Sequence, residues 1–576
     1  MKEVWEIIAG LRGTMSMDEL PALLLVEVAH KIGNVPETHG GALQKWKNFS
    51  ADKAYPQLQA AAQTFLGLPP RDRLAALDVV LENSHRGKLV DHLWIASPAA
   101  QQIAQIMEGV SSVRCAFGWS LHPALQIGVA AAEAGDEVDL CFVDQNPEVC
   151  DMAALAAVSL EVTMSVFLGQ PFERLDGVKA EAEISLPPFG WKMDKAAALP
   201  RETLEWLGAM QSGRLTSEPV AIADILAHAP QAQAIIGVSA GPLFRMVGVE
   251  VAARDELINA GRLQAVFDVP SGMIYHETGI ATALLVMSPV GEKRDIVRFT
   301  DLSDPHFASR SSRGRYEARL DVTWAEMLSN SALEVDYARD VPVPEIEEQD
   351  RILTPSRYLS RTAAKLSAFN DRYEVKELSE IVELIRPVAL PKDEDGEYLV
   401  HETAPSDVGE DGFLTEPPKI IKVGRGGLRK ARNQQLEPGD VVISVKGTIG
   451  RVGLVPDDVP DRNADTFWTV GQSMMILRPR RGGMLPEALY EYLSSELMHE
   501  HLNTLAGGAV IQAFNMKDLK SLPIPVPTME EQAKIREEFA KRQDAFRELE
   551  RLRQEIGAMK AKSWPHRDLP PLNSAD

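Results

Sequence analysis

Cysteine is scarce, with three thiols (Cys115, Cys141, Cys150) in 576 residues. They show no pairing pattern and no C-x-x-C spacing, which excludes a disulfide framework and a cysteine-based structural zinc site. Long apolar runs are missing too: no window approaches the roughly 18 to 20 residues needed to cross a bilayer. The opening "MKEVWEIIAGLRG" lacks the apolar core of an export signal. A soluble chain in the reducing cytoplasm, with no membrane partner, is the expectation. Positive charge is in deficit, 60 Lys and Arg against 83 Asp and Glu, for a formal charge of -23. The molecule as a whole does not attract a polyanion, so any nucleic-acid surface must be a local patch. The twelve histidines show no ligand spacing; His499 and His501 flank Glu500 on a predicted helix, where i and i+2 do not share a face. No metal site is expected.

What is present is an ordinary globular balance, 45% hydrophobic and 25% charged, on a chain long enough for roughly three to four domains. Residues 1–90 read as a helical leading domain, because Leu20, Leu23, Leu24 and Val28 recur every three or four residues. Across 91–330 short β-branched runs ("SSVRCAF", "EVDLCFVD", "AEISL", "AQAIIGVS", "RLQAVFDV", "ATALLVM") alternate with Ala-rich helical text, the pattern of a doubly wound α/β sheet. Polar text over 331–370 reads as a connector. Alternation with interspersed glycine over 371–527 predicts a compact, strand-rich domain. Residues 528–562 form one long helix, opened by a capping box (Thr528, Glu531) and carrying Ile535, Phe539, Phe546, Leu549 and Ile556 on a heptad seam.

Ligands of a doubly wound sheet sit at the carboxyl ends of strands. Three such ends stand out: "VRCAFGWSLHPAL", with Phe117 and Gly118 in its turn; "EVDLCFVDQNP", with Asp144 where an acid can take a ribose; and "EAEISLPPFGWK", with Leu186, Pro187, Pro188 and Phe189. Together and in this order they resemble the N6-adenine DNA methyltransferases of type I restriction-modification systems. "ASPAAQQIAQIM" and the stretch from Gly241 to Pro289, with "VPSG" and "TGI", extend the resemblance over roughly residues 1–330. It implies S-adenosylmethionine as cofactor, a glycine-rich cofactor loop, an acid for its ribose, and an Asn-Pro-Pro-aromatic motif that receives an extruded adenine.

Two positions depart from that pattern. The Asn position is Leu186, which has no hydrogen-bond acceptor, and losing one transition-state hydrogen bond costs roughly a hundred- to thousand-fold in rate. The cofactor loop has bulky Phe117 and Trp119 around its single Gly118, and Arg114 or Cys115 stands where the motif begins with an acid. The expectation is a methyltransferase scaffold with degraded cofactor and catalytic motifs; the alternative is an active S-adenosylmethionine-dependent adenine methyltransferase. A rival from another class comes from Gly237, Ser239 and Gly241, the Gly-x-Ser-x-Gly pattern of a serine hydrolase, with His276 as the available base.

The carboxy-terminal half carries a separate signal. "LEPGDVVISVKGTIGRVGLVP", "FWTVGQSMMILRP" and "IQAFNMKDLKSLPIPVPTMEEQAKI" resemble one half of a type I specificity subunit, one target-recognition domain and one spacer helix, over about 370–560. The resemblance implies double-stranded DNA as partner. Within it Lys419, Lys422, Arg425, Arg429, Lys430 and Arg432 form a run without an acid, a candidate phosphate-binding patch, with Lys446 and Arg451 as further candidates. Gln512, Phe514 and Asn515 precede the helix and read equally well as packing and capping residues. With a single recognition set, the terminal heptad seam is expected to pair with a second copy or with another restriction-modification subunit, the competing reading being that it packs on its own domain.

Overall fold

The computed structural model describes residues 2–11, 18–83, 93–172, 180–193, 199–206, 215–228, 233–246, 248–275, 279–311, 315–329, 333–359, 362–461, 464–505 and 516–563. The chain divides after Leu359 into two compact units.

In the first unit the expected strands assemble into one ten-stranded sheet. In chain order they are β1 Ser112–Ala116, β2 Asp139–Asp144, β3 Met164–Leu168, β4 Ala182–Ser185, β5 Ala234–Ser239, β6 Leu263–Val269, β7 Thr282–Met287, β8 Ile296–Asp301, β9 Glu334–Val335 and β10 Ala338–Pro342. The spatial order is β3-β2-β1-β4-β5-β7-β6-β8-β10-β9. The pairs β3-β2-β1-β4-β5 are parallel, and β7 enters antiparallel between β5 and β6. This is the expected doubly wound, methyltransferase-like α/β sheet. Strand order reverses between β1 and β4, so the crevice for a ligand lies at the carboxyl end of β1.

Alternation along the strands sends side chains into two cores. Val113, Cys115, Leu140, Phe142 and Ile184 join one hydrophobic cluster, Ala116, Val143 and Ile236 the other. Helices α1 (Lys2–Ala9), α2 (Leu20–Ile32), α3 (Tyr55–Leu66) and α4 (Pro70–Asn83) bury Val4, Leu24, Phe65 and Leu77 in the first cluster. The leading helices therefore share a core with the sheet rather than enclosing one of their own, as their helical periodicity alone implied. The helices Ser217–His228 and Gly248–Asn259 cover the opposite face through Ile222, Ile225 and Leu257.

The segment 331–370 is not a plain connector. Its β10 pairs antiparallel with β8, and buried Arg298 on β8 grips Asp340 with two hydrogen bonds of 2.6 and 2.7 Å. Polar composition concealed a strand here because its charges are satisfied across the sheet.

The second unit holds a four-stranded sheet (Val382–Ile385, Met474–Pro479, Val441–Ser444, Val452–Leu454), a three-stranded sheet (Ile420–Val423, Tyr398–Thr403, Thr466–Val470) and a strand pair (Glu374–Glu377 with Pro523–Val526). The terminal helix spans Met529–Ser563, and its first turn is the capping box expected from sequence: Thr528 N–H donates to Glu531 at 2.8 Å, and Glu531 N–H to Thr528 Oγ1 at 3.3 Å. Among the described residues no helix is long and apolar enough to cross a membrane, and no group of three or more His, Cys, Asp or Glu could hold a metal.

Candidate cofactor crevice and nucleic-acid interface

The turn after β1 begins with Phe117 at φ 72°, ψ 152°. That is a conformation in which glycine is at ease and a side chain costs about 1–3 kcal/mol. The surroundings hold it there: Phe117 N–H donates to Val143 O at 3.1 Å, and its ring, 3% exposed, meets Phe172 edge-on with centroids 5.2 Å apart. Gly118 opens the short 3-10 turn Gly118–Ser120, which leads into helix Leu121–Ala134. Arg114, in the place of the expected acid, is buried on β1 and faces Glu183 at 2.7 Å and Asp224 at 3.7 Å. Burial alone would lower the guanidinium's pKa, but the two carboxylates outweigh burial and raise it. The position thus carries a buried guanidinium held between two carboxylates, not the acid that the motif begins with.

Asp144 ends β2 as expected, yet its carboxylate is engaged locally: Oδ1 accepts Asn146 N–H at 2.7 Å, while Asn146 Oδ1 caps helix Pro147–Ser159 through Glu148 N–H at 2.9 Å. Its role in the structure is to shape a helix start.

The structure brings the third strand end against the first. Leu186 N–H reaches Ser120 Oγ at 3.1 Å and Ala116 O at 3.4 Å. The Leu186 side chain is fully buried, and Gly237 on β5 makes room for it: a Cβ at 237 would stand 2.8 Å from Leu186 Cδ2 and 3.0 Å from Tyr275 Oη. Pro187 is buried and Pro188 half-buried. Phe189 is not a free stacking platform: its ring lies 5.3 Å from Trp119 and 5.0 Å from Tyr275, and those two are 4.4 Å apart.

Glu218, at the start of the Ser217–His228 helix, locks this loop. Its Oε2 accepts Gly190 N–H at 2.8 Å, and its Oε1 accepts Ser239 N–H at 2.9 Å and Ser239 Oγ–H at 2.6 Å, while Ser217 Oγ donates to Pro188 O at 2.6 Å. The hydroxyl that a hydrolase would use as nucleophile donates to the Glu218 carboxylate; His276 lies outside the described residues. Trp119, Glu218 and Tyr275 were not singled out from sequence. Glu218 has no motif, and its partners lie 28 and 21 residues away; Trp119 was visible only as bulk in a glycine loop.

In the second unit the basic run is a strand and a helix. Strand Ile420–Val423 exposes Lys422, and helix Arg425–Arg432 exposes Arg425, Arg429 and Lys430 while burying Gly427 and Ala431. Gly427 serves packing, not phosphate approach, because a Cβ there would meet Val423 Cγ1 at 2.5 Å and Pro391 Cγ at 2.9 Å. The fold also supplies the acids that the run lacks. Lys419 is ion-paired with Glu402, and Arg425 stands 3.7 Å from Glu397. Arg432 lies over the Phe467 ring at 4.4 Å and donates to Gln435 Oε1 at 2.9 Å and Ala464 O at 2.7 Å. Arg451 donates to Val408 O at 2.8 Å, whereas Lys446 is exposed on its turn. Lys422, Arg429 and Lys430 are thus exposed and form no ion pair among the described residues. Gln512, Phe514 and Asn515 lie outside those residues. His499 is spent on its own unit, with Nδ1 3.4 Å from Gly450 O.

On the terminal helix the seam splits. Phe539 is buried edge-on against Phe413 and Tyr490, both at 5.6 Å, and Ile535 packs on the same core. Further on, Leu549, Leu552, Ile556 and Met559 are 41–66% exposed.

Two family models match the chain. N-6 DNA Methylase matches residues 173–366, and the type I restriction modification DNA specificity domain matches residues 370–556. The specificity subunit of the type I restriction enzyme EcoBI from Escherichia coli is 27% identical over 104 residues, 18% of this chain and 20% of that protein. The matched stretch thus spans a fifth of that relative's length. Among solved structures, a type I restriction-modification methyltransferase subunit from Streptococcus thermophilus aligns over 62% of this chain and 98% of that one, at 14% identity and TM-score 0.41. The type IIG restriction endonuclease BpuSI aligns over 93% of this chain and 74% of that one, at 11% identity and TM-score 0.43. The chain joins an N-6 DNA methylase domain to a type I restriction-modification DNA specificity domain.

Proposed function

We propose that this chain is a sequence-specific DNA-binding component of a type I restriction-modification or related phage-defence system, acting in the cytoplasm. Its methylase domain serves as a scaffold whose cofactor and catalytic motifs are degraded. The observation that carries the DNA reading is the exposed triad Lys422, Arg429 and Lys430, projecting from one strand-helix unit inside the domain matched by the specificity model. On a chain of charge -23, such a patch directs a polyanion to one place. The degraded scaffold rests on Leu186 and Phe117, neither of which offers a ligand an acceptor or an open backbone. S-adenosylmethionine does not fit the residues present, because the Phe117 ring fills the turn after β1.

The partner is duplex DNA, together with a second copy or another restriction-modification subunit held by the exposed seam Leu549, Leu552, Ile556 and Met559. These residues are spaced three and four apart, as in a coiled-coil stripe. Selection of bound sequences from a randomised duplex pool tests the function. Enrichment of one motif, lost in the triple variant Lys422→Ala, Arg429→Ala, Lys430→Ala, is the expected result. Equal retention of all sequences, or of none at low salt, would refute it.

A further inference from the structure

We infer that the chain's own aromatic side chains occupy the cofactor and target-base spaces of the methylase domain, so that the domain folds and engages DNA with both spaces closed. This deepens the scaffold reading above and rests on it.

The cofactor side is closed by Phe117. Its backbone keeps the glycine-type turn (φ 72°, ψ 152°) that lets a loop approach a ligand at the carboxyl end of β1. A benzyl group stands where glycine would leave space, and it is buried with Phe172, Val143 and Ala116, residues at or just beyond the ends of β3, β2 and β1. A strained backbone persists only where its surroundings fix it, and the Phe117–Phe172 contact with the Val143 hydrogen bond does so.

The base side is closed by three rings. A base held between two aromatic faces needs them about 7 Å apart, twice a contact distance of ~3.5 Å. Trp119, Phe189 and Tyr275 are at 5.3, 5.0 and 4.4 Å, with Phe189 standing at 87° to Tyr275. Behind them Leu186 fills the space over Gly237. The Tyr275 hydroxyl, beside it, is buried with no hydrogen-bond partner among the described residues. An orphaned hydroxyl is the cost of packing a polar group among apolar ones.

The test uses the full chain. Calorimetric titration with S-adenosylmethionine is expected to give no saturable heat and no change in Tm, while Phe117→Gly, which removes the ring and suits the turn, gains saturable binding. Binding by the unaltered chain, or a folded Phe117→Gly variant that still does not bind, would overturn the inference. Should that variant not fold, duplexes carrying 2-aminopurine at dispersed adenine positions decide. Retention of DNA without a rise in 2-aminopurine fluorescence supports closure, and a rise marks an extruded base and refutes it. The two readings fail separately. A chain that ignores DNA but also ignores the cofactor sinks the DNA-binding reading and leaves the closed cofactor space standing; a chain that binds both leaves the DNA-binding reading standing and sinks the closed space together with the scaffold reading.

Discussion

Replacing Gly237 by alanine sets a methyl group 2.8 Å from Leu186 Cδ2 and 3.0 Å from the Tyr275 hydroxyl. Leu186 is 0% exposed, so it cannot swing into solvent, and overpacking of this kind costs about 1–3 kcal/mol. Leu186→Ala alone should cost about 2–5 kcal/mol, through lost transfer energy and the cavity left behind. In the double variant the new methyl enters the space Leu186 vacated and one collision disappears. The combined loss should therefore fall short of the sum by about 1–2 kcal/mol. Urea unfolding of the full chain, followed by tryptophan fluorescence and compared across the four proteins, measures the coupling. Additivity within about 0.5 kcal/mol would show that Leu186 and Gly237 do not share a packed site, and would remove the ground for reading Leu186 as core in a catalytic position.

Arg429→Ala should weaken DNA binding without loss of stability and reduce the salt slope of the affinity by about 1, whereas Arg432→Ala, which removes the Phe467 and Ala464 contacts, should lower stability by about 1–3 kcal/mol; filter binding across salt and thermal melts separate them. Burial alone would raise the Asp78 carboxyl, but His122 at 3.1 Å and donors on Ser97 and Trp94 at 2.8 Å hold it below its ordinary value. Its contribution is present above the unfolded value near 3.8 and lost as pH falls through the lower folded one. Asp78→Ala should therefore destabilise by at least about 3 kcal/mol at neutral pH, with the gap to the unaltered chain closing only below pH ~4 in pH-dependent melts. Asp268, register-paired with Asp301 across β6 and β8, is pushed up to about 7 by burial and by that neighbour. Its stabilisation is complete below about 3.8 and lost as pH rises through 7, so Asp268→Asn should raise Tm at pH ~8 relative to pH ~5. Leu552→Glu with Ile556→Glu should convert a self-associated chain to monomer in sedimentation, with any fall in Tm confined to concentrations at which the unaltered chain associates, because both side chains are exposed in the single chain.

Much of the fold was legible in the sequence. Each β-branched run became a strand because a short, nearly continuous apolar run buries both of its faces in a sheet covered by helices on either side. The terminal helix was visible from its capping box and heptads, but which heptads were spoken for was not. Phe539 meets Phe413, more than a hundred residues earlier, while Ile556 meets solvent. The basic run was visible as charge, yet the members left without an ion pair among the described residues emerge only after Glu402 and Glu397 have claimed Lys419 and Arg425, and after Phe467 and Ala464 have claimed Arg432. The strand Ala338–Pro342 within 331–370 escaped notice because Asp340 reads as a loop residue until Arg298 stands opposite it.

By itself the sequence determined which side chains stand at these strand ends: a leucine side chain carries no acceptor wherever it is placed, and Phe117 and Trp119 bring bulk to either side of Gly118 in any fold. Tertiary structure alone decided how those side chains pack. Only packing could turn Phe117 inward at a glycine's backbone angle, close Trp119 and Tyr275 onto Phe189, and tie the loop to Glu218. The physical reason is range. Side-chain chemistry is a property of one residue, whereas the occupancy of a crevice is settled by contacts between residues far apart along the chain.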